Sequence, residues 1–160
     1  MNVKLKKINE NYVHNRYISW MNDYDITKFT DQCFVKNTKK KIKNYVKKIN
    51  KSKNDYLFGI FVKKGKKYFH IGNIKLGRIN HFHKTAMISL FIGEKKYFGK
   101  KLGYKAISKV CSFAKKIGLY KVYAGAYKNN IASQKSFLKN NFLKEGVQKK
   151  HIFFEGKRMD

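Results

Sequence analysis

The sequence predicts an α/β fold of the α+β kind, a mixed and mostly antiparallel sheet of about six to seven strands flanked by about four helices. Three observations carry that expectation. Tyr56 to Val62 (YLFGIFV) and Tyr68 to Leu76 are apolar runs joined by the turn Lys64-Gly65-Lys66, which is a hairpin pattern. Ala86 to Leu119 reads as a buried strand, a basic glycine-bearing loop and a long amphipathic helix in immediate succession. Lys121 to Ala126 returns as a strand, parallel to the one before the helix because such crossovers are right-handed.

Taken in order, Val3 and Leu5 alternate with lysines between Asn2 and Ile8, a first strand. His14 to Met21 is a short helix with Tyr17, Ile18 and Met21 on one side, and Asn22-Asp23-Tyr24-Asp25 is a turn. Trp20 is a core or lid anchor and Asp23 a helix or turn cap. Thr30 to Lys36 is a loop, after which Asn37 or Thr38 caps a second helix striped by Ile42, Tyr45, Val46 and Ile49. Arg78 to Lys84 links the hairpin to the strand Ala86 to Ile92. The long helix places Ala106, Ile107, Val110, Phe113, Ala114 and Ile117 on one face. Phe142 to Gln148 and His151 to Phe154 close the sheet as antiparallel strands, with a bend or bulge at Gly146.

A chain of 160 residues buries most of its unfolded surface, and with no linker, repeat or composition break residues 1–160 form one domain. The longest apolar run falls far short of the roughly 20 residues a bilayer requires, and MNVKLKKINENY has no signal-peptide core, so a cytoplasmic protein with no membrane partner is expected. Cys33 and Cys111 lack the spacing of a disulfide framework or a zinc site. The 38 Lys and Arg against 9 Asp and Glu give a net charge of +29. Such a field attracts polyanions. Only Arg16, Arg78 and Arg158 are arginines and the lysines are spread over every element, which argues for a solvated lysine surface that binds nucleic acid only non-specifically.

The chemistry concentrates at Glu94 to Gly103, where Lys95, Lys96, Lys100 and Lys101 surround Gly99. The first N–H groups of the following helix are unpaired and partially positive, so an anion docks there, and Gly99 and Gly103 let the backbone approach it. A P-loop is excluded, because Gly93 and Gly99 are separated by five residues and Lys100 is followed by Lys101. No GxGxxG occurs.

Lys96-Tyr97-Phe98-Gly99-Lys100-Lys101 resembles the (Arg/Gln)-x-x-Gly-x-(Gly/Ala) pyrophosphate loop of the GNAT acyltransferase superfamily. Asn130-Ile131-Ala132-Ser133 through Lys139-Asn140-Asn141-Phe142 resembles the N-x-x-S…K-x-G-F segment of its ribosomal-protein and amino-sugar branches, with Asn141 at the helix-ending glycine. The resemblance implies a GNAT-like fold whose central parallel pair of strands splays apart to admit acetyl-CoA, the acyl donor. It implies that backbone at Leu90, Phe91 and Ile92 holds the pantetheine and polarises the thioester. Lys96, Gly99, Lys100, Lys101, Leu102, Gly103 and Tyr104 would carry the diphosphate, and Asn130 and Ser133 would open the fourth helix against the pantetheine arm. Lys101 replaces a small residue, so its side chain points away or binds phosphate itself. Phe137 and its neighbours supply no phenol where many members carry an acidic Tyr.

The resemblance further implies direct attack of a primary amine on the thioester, a step in which a positioned base typically contributes about 10²–10⁴-fold. Glu94, directly after the strand, is such a base or a partner for the surrounding lysines. His81 and His83 are bases in the preceding link or surface residues, and no third ligand makes them a metal site. Trp20-Met21-Asn22-Asp23 and Ile71 to Leu76 look most like enzymes that acetylate nucleotide-linked amino sugars. N-terminal acetyltransferases of ribosomal proteins are the alternative acceptor class, a basic polyanion-binding protein on a GNAT scaffold is the non-enzymatic one, and an oligomer is compatible with either.

Overall fold

The structure, a computed structural model, describes residues 1–160. Five strands form the main sheet in sequence order: β1 (Val3–Lys7), β2 (Tyr56–Lys64), β3 (Lys67–Asn80), β4 (Thr85–Ile92) and β5 (Lys121–Tyr123). Every neighbouring pair is antiparallel except β4 and β5. The helices are α1 (Asn15–Asn22), α2 (Tyr24–Thr27), α3 (Lys39–Lys51), α4 (Leu102–Lys116) and α5 (Ile131–Leu138).

The sheet is covered on both faces because side chains alternate across it. On one face Ile60, Val62, Ile74, Leu76 and Ile88 meet Ala106, Ile107, Val110 and Ala114 of α4, with Phe137 of α5 alongside. On the other, Leu57 and Phe61 meet Tyr17 and Trp20 of α1 and Ile42, Val46 and Ile49 of α3. Ile71 is an extra residue in β3, since Ile60 pairs with Gly72 and Phe61 with His70. Its carbonyl accepts from the N–H groups of Gly93 (2.7 Å) and Glu94 (3.2 Å), so this bulge fixes where β4 ends.

The predicted class holds, with local corrections. The turn at Asn22 to Asp25 becomes the short helix α2, and the Thr30 to Lys36 loop contains a single 3₁₀ turn, Asp31–Phe34. Thr38, not Asn37, caps α3, accepting from the Lys41 N–H at 3.2 Å. β5 stops at Tyr123, short of Ala126. Phe142 to Gln148 is not a strand, and Leu143 is 85% exposed. Only Phe142 finds a buried partner, Phe137 at 5.1 Å, and with Leu143 and Val147 exposed nothing pins the segment to the sheet. The last strands, β6 (Ile152–Phe154) and β7 (Lys157–Met159), form a separate hairpin and do not extend the sheet. Phe154 stacks on Phe29 at 5.6 Å and meets Tyr127 edge-on at 6.1 Å, while the Tyr24 hydroxyl donates to Glu155 (3.2 Å).

Candidate active site

β4 and β5 share three register pairs, Thr85 with Lys121, Ala86 with Val122 and Met87 with Tyr123. Beyond Met87 the strands part, and Ile88 to Ile92 pair only with β3. Leu90, Phe91 and Ile92 therefore present backbone along an opening in the sheet. At its far end a 3₁₀ turn, Lys95–Tyr97, leads to α4.

Side chains cap α1, α2, α3 and α5, but none caps α4. Its first residue is preceded by Lys101 in the left-handed conformation (φ 58°), and Gly99 is also left-handed (φ 72°). The N–H groups of Leu102, Gly103 and Tyr104 are thus free for an anion, at the place a pyrophosphate-binding helix needs them. Leu102 itself is buried in the core, so only its backbone faces that site. Lys96 and Lys100 hold their ammonium groups 5.5 and 5.4 Å from the centre of the buried Tyr97 ring, on the loop they flank. Lys95 departs from this set and bridges Asp23 (2.9 Å) and Asp25 (2.8 Å), holding the Asp25 carboxyl below its ordinary range.

Asn130 and Ser133 come together as a helix cap, the Asn130 side chain accepting from the Ser133 N–H at 3.2 Å. Asn141 ends that segment with φ 63°, the left-handed stop expected of it. Asn140 ties α5 to α4 by donating to the Tyr104 carbonyl at 3.1 Å.

Glu94 is mostly covered, with 17% of its side chain exposed, and is ion-paired with Arg16 (3.3 Å) and Lys96 (3.7 Å). His81 and His83 sit in the exposed β3–β4 turn, His81 against Asn54 at 3.0 Å. The eight residues of β4 separate them from Glu94, about 26 Å at strand rise, so the structure does not bring the three together. Asp23 caps α2, and Trp20 is a core anchor at 4% exposure. Gly93 makes that possible, since a Cβ there would come within 2.1 Å of the indole. No group of three His, Cys, Asp or Glu side chains is placed to hold a metal ion.

Two polar residues that sequence reasoning passed over lie behind this site. His70 and Asn73 of β3 are 4% and 3% exposed and hydrogen-bonded to each other at 2.8 Å. A His and an Asn three apart in the largely apolar run Tyr68 to Leu76 were the available signal.

An open parallel pair leading to an uncapped helix defines a class of protein. Residues 3–143 match the family model described as an acetyltransferase (GNAT) domain, and the chain belongs to that family. It is an N-acetyltransferase with acetyl-CoA as acyl donor. The chain is 27% identical to the probable N-acetyltransferase YjcK of Bacillus subtilis (strain 168) over 135 residues, 83% of this chain and 72% of that one. Among solved structures it is similar to a chimera of the Vibrio cholerae spermidine N-acetyltransferase SpeG and hSSAT (TM-score 0.84, 15% identity, 99% of this chain and 91% of that one). It is similar as well to RimL, a ribosomal L7/L12 α-N-protein acetyltransferase solved with coenzyme A (TM-score 0.84, 14% identity, 99% and 90%). The microcin C7 self-immunity acetyltransferase MccE, solved with acetyl-CoA and AMP, is a third (TM-score 0.79, 20% identity, 98% and 87%). At these identities the structural likeness is one of fold.

Proposed function

We propose that residues 1–160 act as one cytoplasmic domain that acetylates the primary amine of a nucleotide-linked amino sugar. The observation that carries the transfer is the parting of β4 from β5 after Met87 above an uncapped α4. Backbone at Leu90 to Ile92 would line the pantetheine arm, and the loop from Gly99 to Tyr104 would hold the diphosphate. Lys96 and Lys100 would add charge to that loop. The neutral amine attacks the thioester carbon, the C–N bond forms, and the C–S bond breaks with its electron pair leaving on sulfur. Glu94, the covered carboxylate at the end of β4, takes the proton the amine sheds, and the thiolate is protonated from water.

The acceptor class follows from charge. A net +29 repels a polycation and draws in an amine carried on an anionic phosphate group. Five of the nine carboxylates, Asp23, Asp25, Asp31, Glu94 and Glu155, lie on α1–α2, the adjoining 3₁₀ turn, the end of β4 and the C-terminal hairpin, and the pairing of Asp23, Asp25 and Glu94 with Lys95, Arg16 and Lys96 leaves little negative charge there to hold a polycation. The test is a melting shift with acetyl-CoA, then thiol release with a UDP-linked amino sugar, a ribosomal-protein N-terminal peptide and spermidine as competing acceptors. At 100 times its dissociation constant the coenzyme would stabilise the fold by about 2.7 kcal/mol. Turnover of the nucleotide-linked amine above the other two is expected. Preference for the peptide would assign the N-terminal class, and preference for spermidine would overturn the charge argument.

A further inference from the structure

Three side chains form a directional chain of hydrogen bonds through the core between α1 and the sheet. The Tyr17 N–H donates to His14 Nδ1 at 3.0 Å, His14 Nε2 meets His70 Nδ1 at 3.1 Å, and His70 Nε2 meets Asn73 Oδ1 at 2.8 Å. The Asn73 oxygen only accepts, so His70 carries its proton on Nε2 and accepts at Nδ1, and His14 then donates from Nε2. Both imidazoles are neutral, with both nitrogens of each engaged, so neither has a free lone pair to act as a base. Burial depresses both rings' proton affinity, that of His70 to about 4.

The surroundings show what the chain holds in place. His70 is ringed by Tyr12, Tyr17, Trp20 and Phe61, the last stacked at 4.9 Å. Asn73 pairs across the ladder with Gly59 on one side and Phe91 of β4 on the other. His14 caps α1, and α1 carries Trp20, seated on Gly93, and Arg16, paired with Glu94. A buried amide is spent on this arrangement: Asn73 Nδ2 has no hydrogen-bond partner. A buried donor left unpaired forfeits its hydrogen bond to water, a cost that an apolar pair at these positions would avoid.

We propose that His70 is a positioning residue for acetyl transfer, acting through His14 to lock α1 against the end of β4 and so set where Glu94 stands relative to the opening beyond Met87. The inference rests on the acetyl-transfer reading of that opening. Its reach is the acceptor side, because the α4 loop packs on the opposite face of the sheet and meets the Glu94 carboxylate through the exposed, 3.7 Å pair with Lys96 alone.

Three variants separate positioning from folding. His70→Leu removes the link outright, with His70→Gln as the conservative replacement that can still accept from His14 and donate to Asn73. His14→Asn keeps a good cap for α1 but is too short to reach His70. With acetyl-CoA and a UDP-linked amino sugar, His70→Leu and His14→Asn should lower kcat by about 10²-fold, the scale of a misplaced reacting group, with acetyl-CoA affinity unchanged. His70→Gln should restore most of the loss. Trp20, the single tryptophan, lies edge-on to His14 and His70 at 5.4 and 5.2 Å, so its emission should change in both disrupting variants. Wild-type turnover in both disrupting variants would overturn the proposal. A wild-type protein inactive on this amine would instead count against the acceptor assignment. Trp20 emission and amide exchange at Gly93 and Glu94 would then decide the positioning role, which unchanged values in His14→Asn would refute.

Discussion

At the scale of the residue, burial decides how His70 responds to pH. Its folded proton affinity lies near pH 4 against an ordinary 6.5, with Asn73 and His14 the polar groups on its nitrogens and Arg16 adding a repelling charge. Below 6.5 the unfolded chain takes up a proton that the folded one refuses. The stabilisation is therefore complete above pH 6.5 and drains away as pH falls toward 4, by about 3 kcal/mol in all. Urea unfolding at pH 7.5 and 4.5 should show that loss, and His70→Leu should flatten it. Gly93 gives a second residue-level expectation. Gly93→Ala pushes the indole of Trp20 out of its seat, an overpacking that should lower stability by about 1–3 kcal/mol and shift tryptophan emission. Neither effect was legible beforehand: a lone His in an apolar strand and a glycine between strand and loop look ordinary until α1 folds over them.

At the scale of the element, strands and helices with apolar surface to bury were legible. α3 and α4 carry a clear period and β2 and β3 continuous apolar runs that bury both faces, and each lies near its expected place, although Tyr45 and Ile117 of the two helical stripes are 42% and 38% exposed. β5 was overextended because Ala124, Gly125 and Ala126 have almost no side chain to hold a ladder, and it is there that the parallel pair opens. The diphosphate loop was legible as charge and glycine, but its backbone was not. Lys101 stands at φ 58°, where a side chain is strained by about 1–2 kcal/mol, so Lys101→Gly should raise the melting temperature while retaining acetyl-CoA binding. Gly99→Val, placing a β-branched residue at φ 72°, should do the reverse and weaken coenzyme binding far more than Lys101→Ala. Isothermal titration with acetyl-CoA across the three variants checks the order.

At the scale of the whole molecule, charge separates steering from chemistry. With +29 distributed over all elements, rising salt should raise KM for acetyl-CoA and for an anionic acceptor while leaving kcat nearly constant, since screening acts on approach. Binding to any DNA duplex should fall linearly in log affinity against log salt, without sequence preference. A kcat that collapsed with salt would place a surface ion pair in the rate-limiting step. No helix is long and apolar enough to cross a membrane.

The hairpin of β6 and β7 sits apart from the main sheet and is held to residues more than a hundred positions earlier, Phe154 on Phe29 and Glu155 on Tyr24. During synthesis the coenzyme-binding half, whose last element is α5, can close before these contacts exist, because the C-terminal hairpin is made after it. The docking of this hairpin on Tyr24 and Phe29 is then the final part of the molecule to assemble and the first to come undone. Phe154→Ala should accordingly loosen amide protection in Tyr24 to Phe34 under native conditions, leaving α4 protected, a pattern hydrogen exchange would resolve.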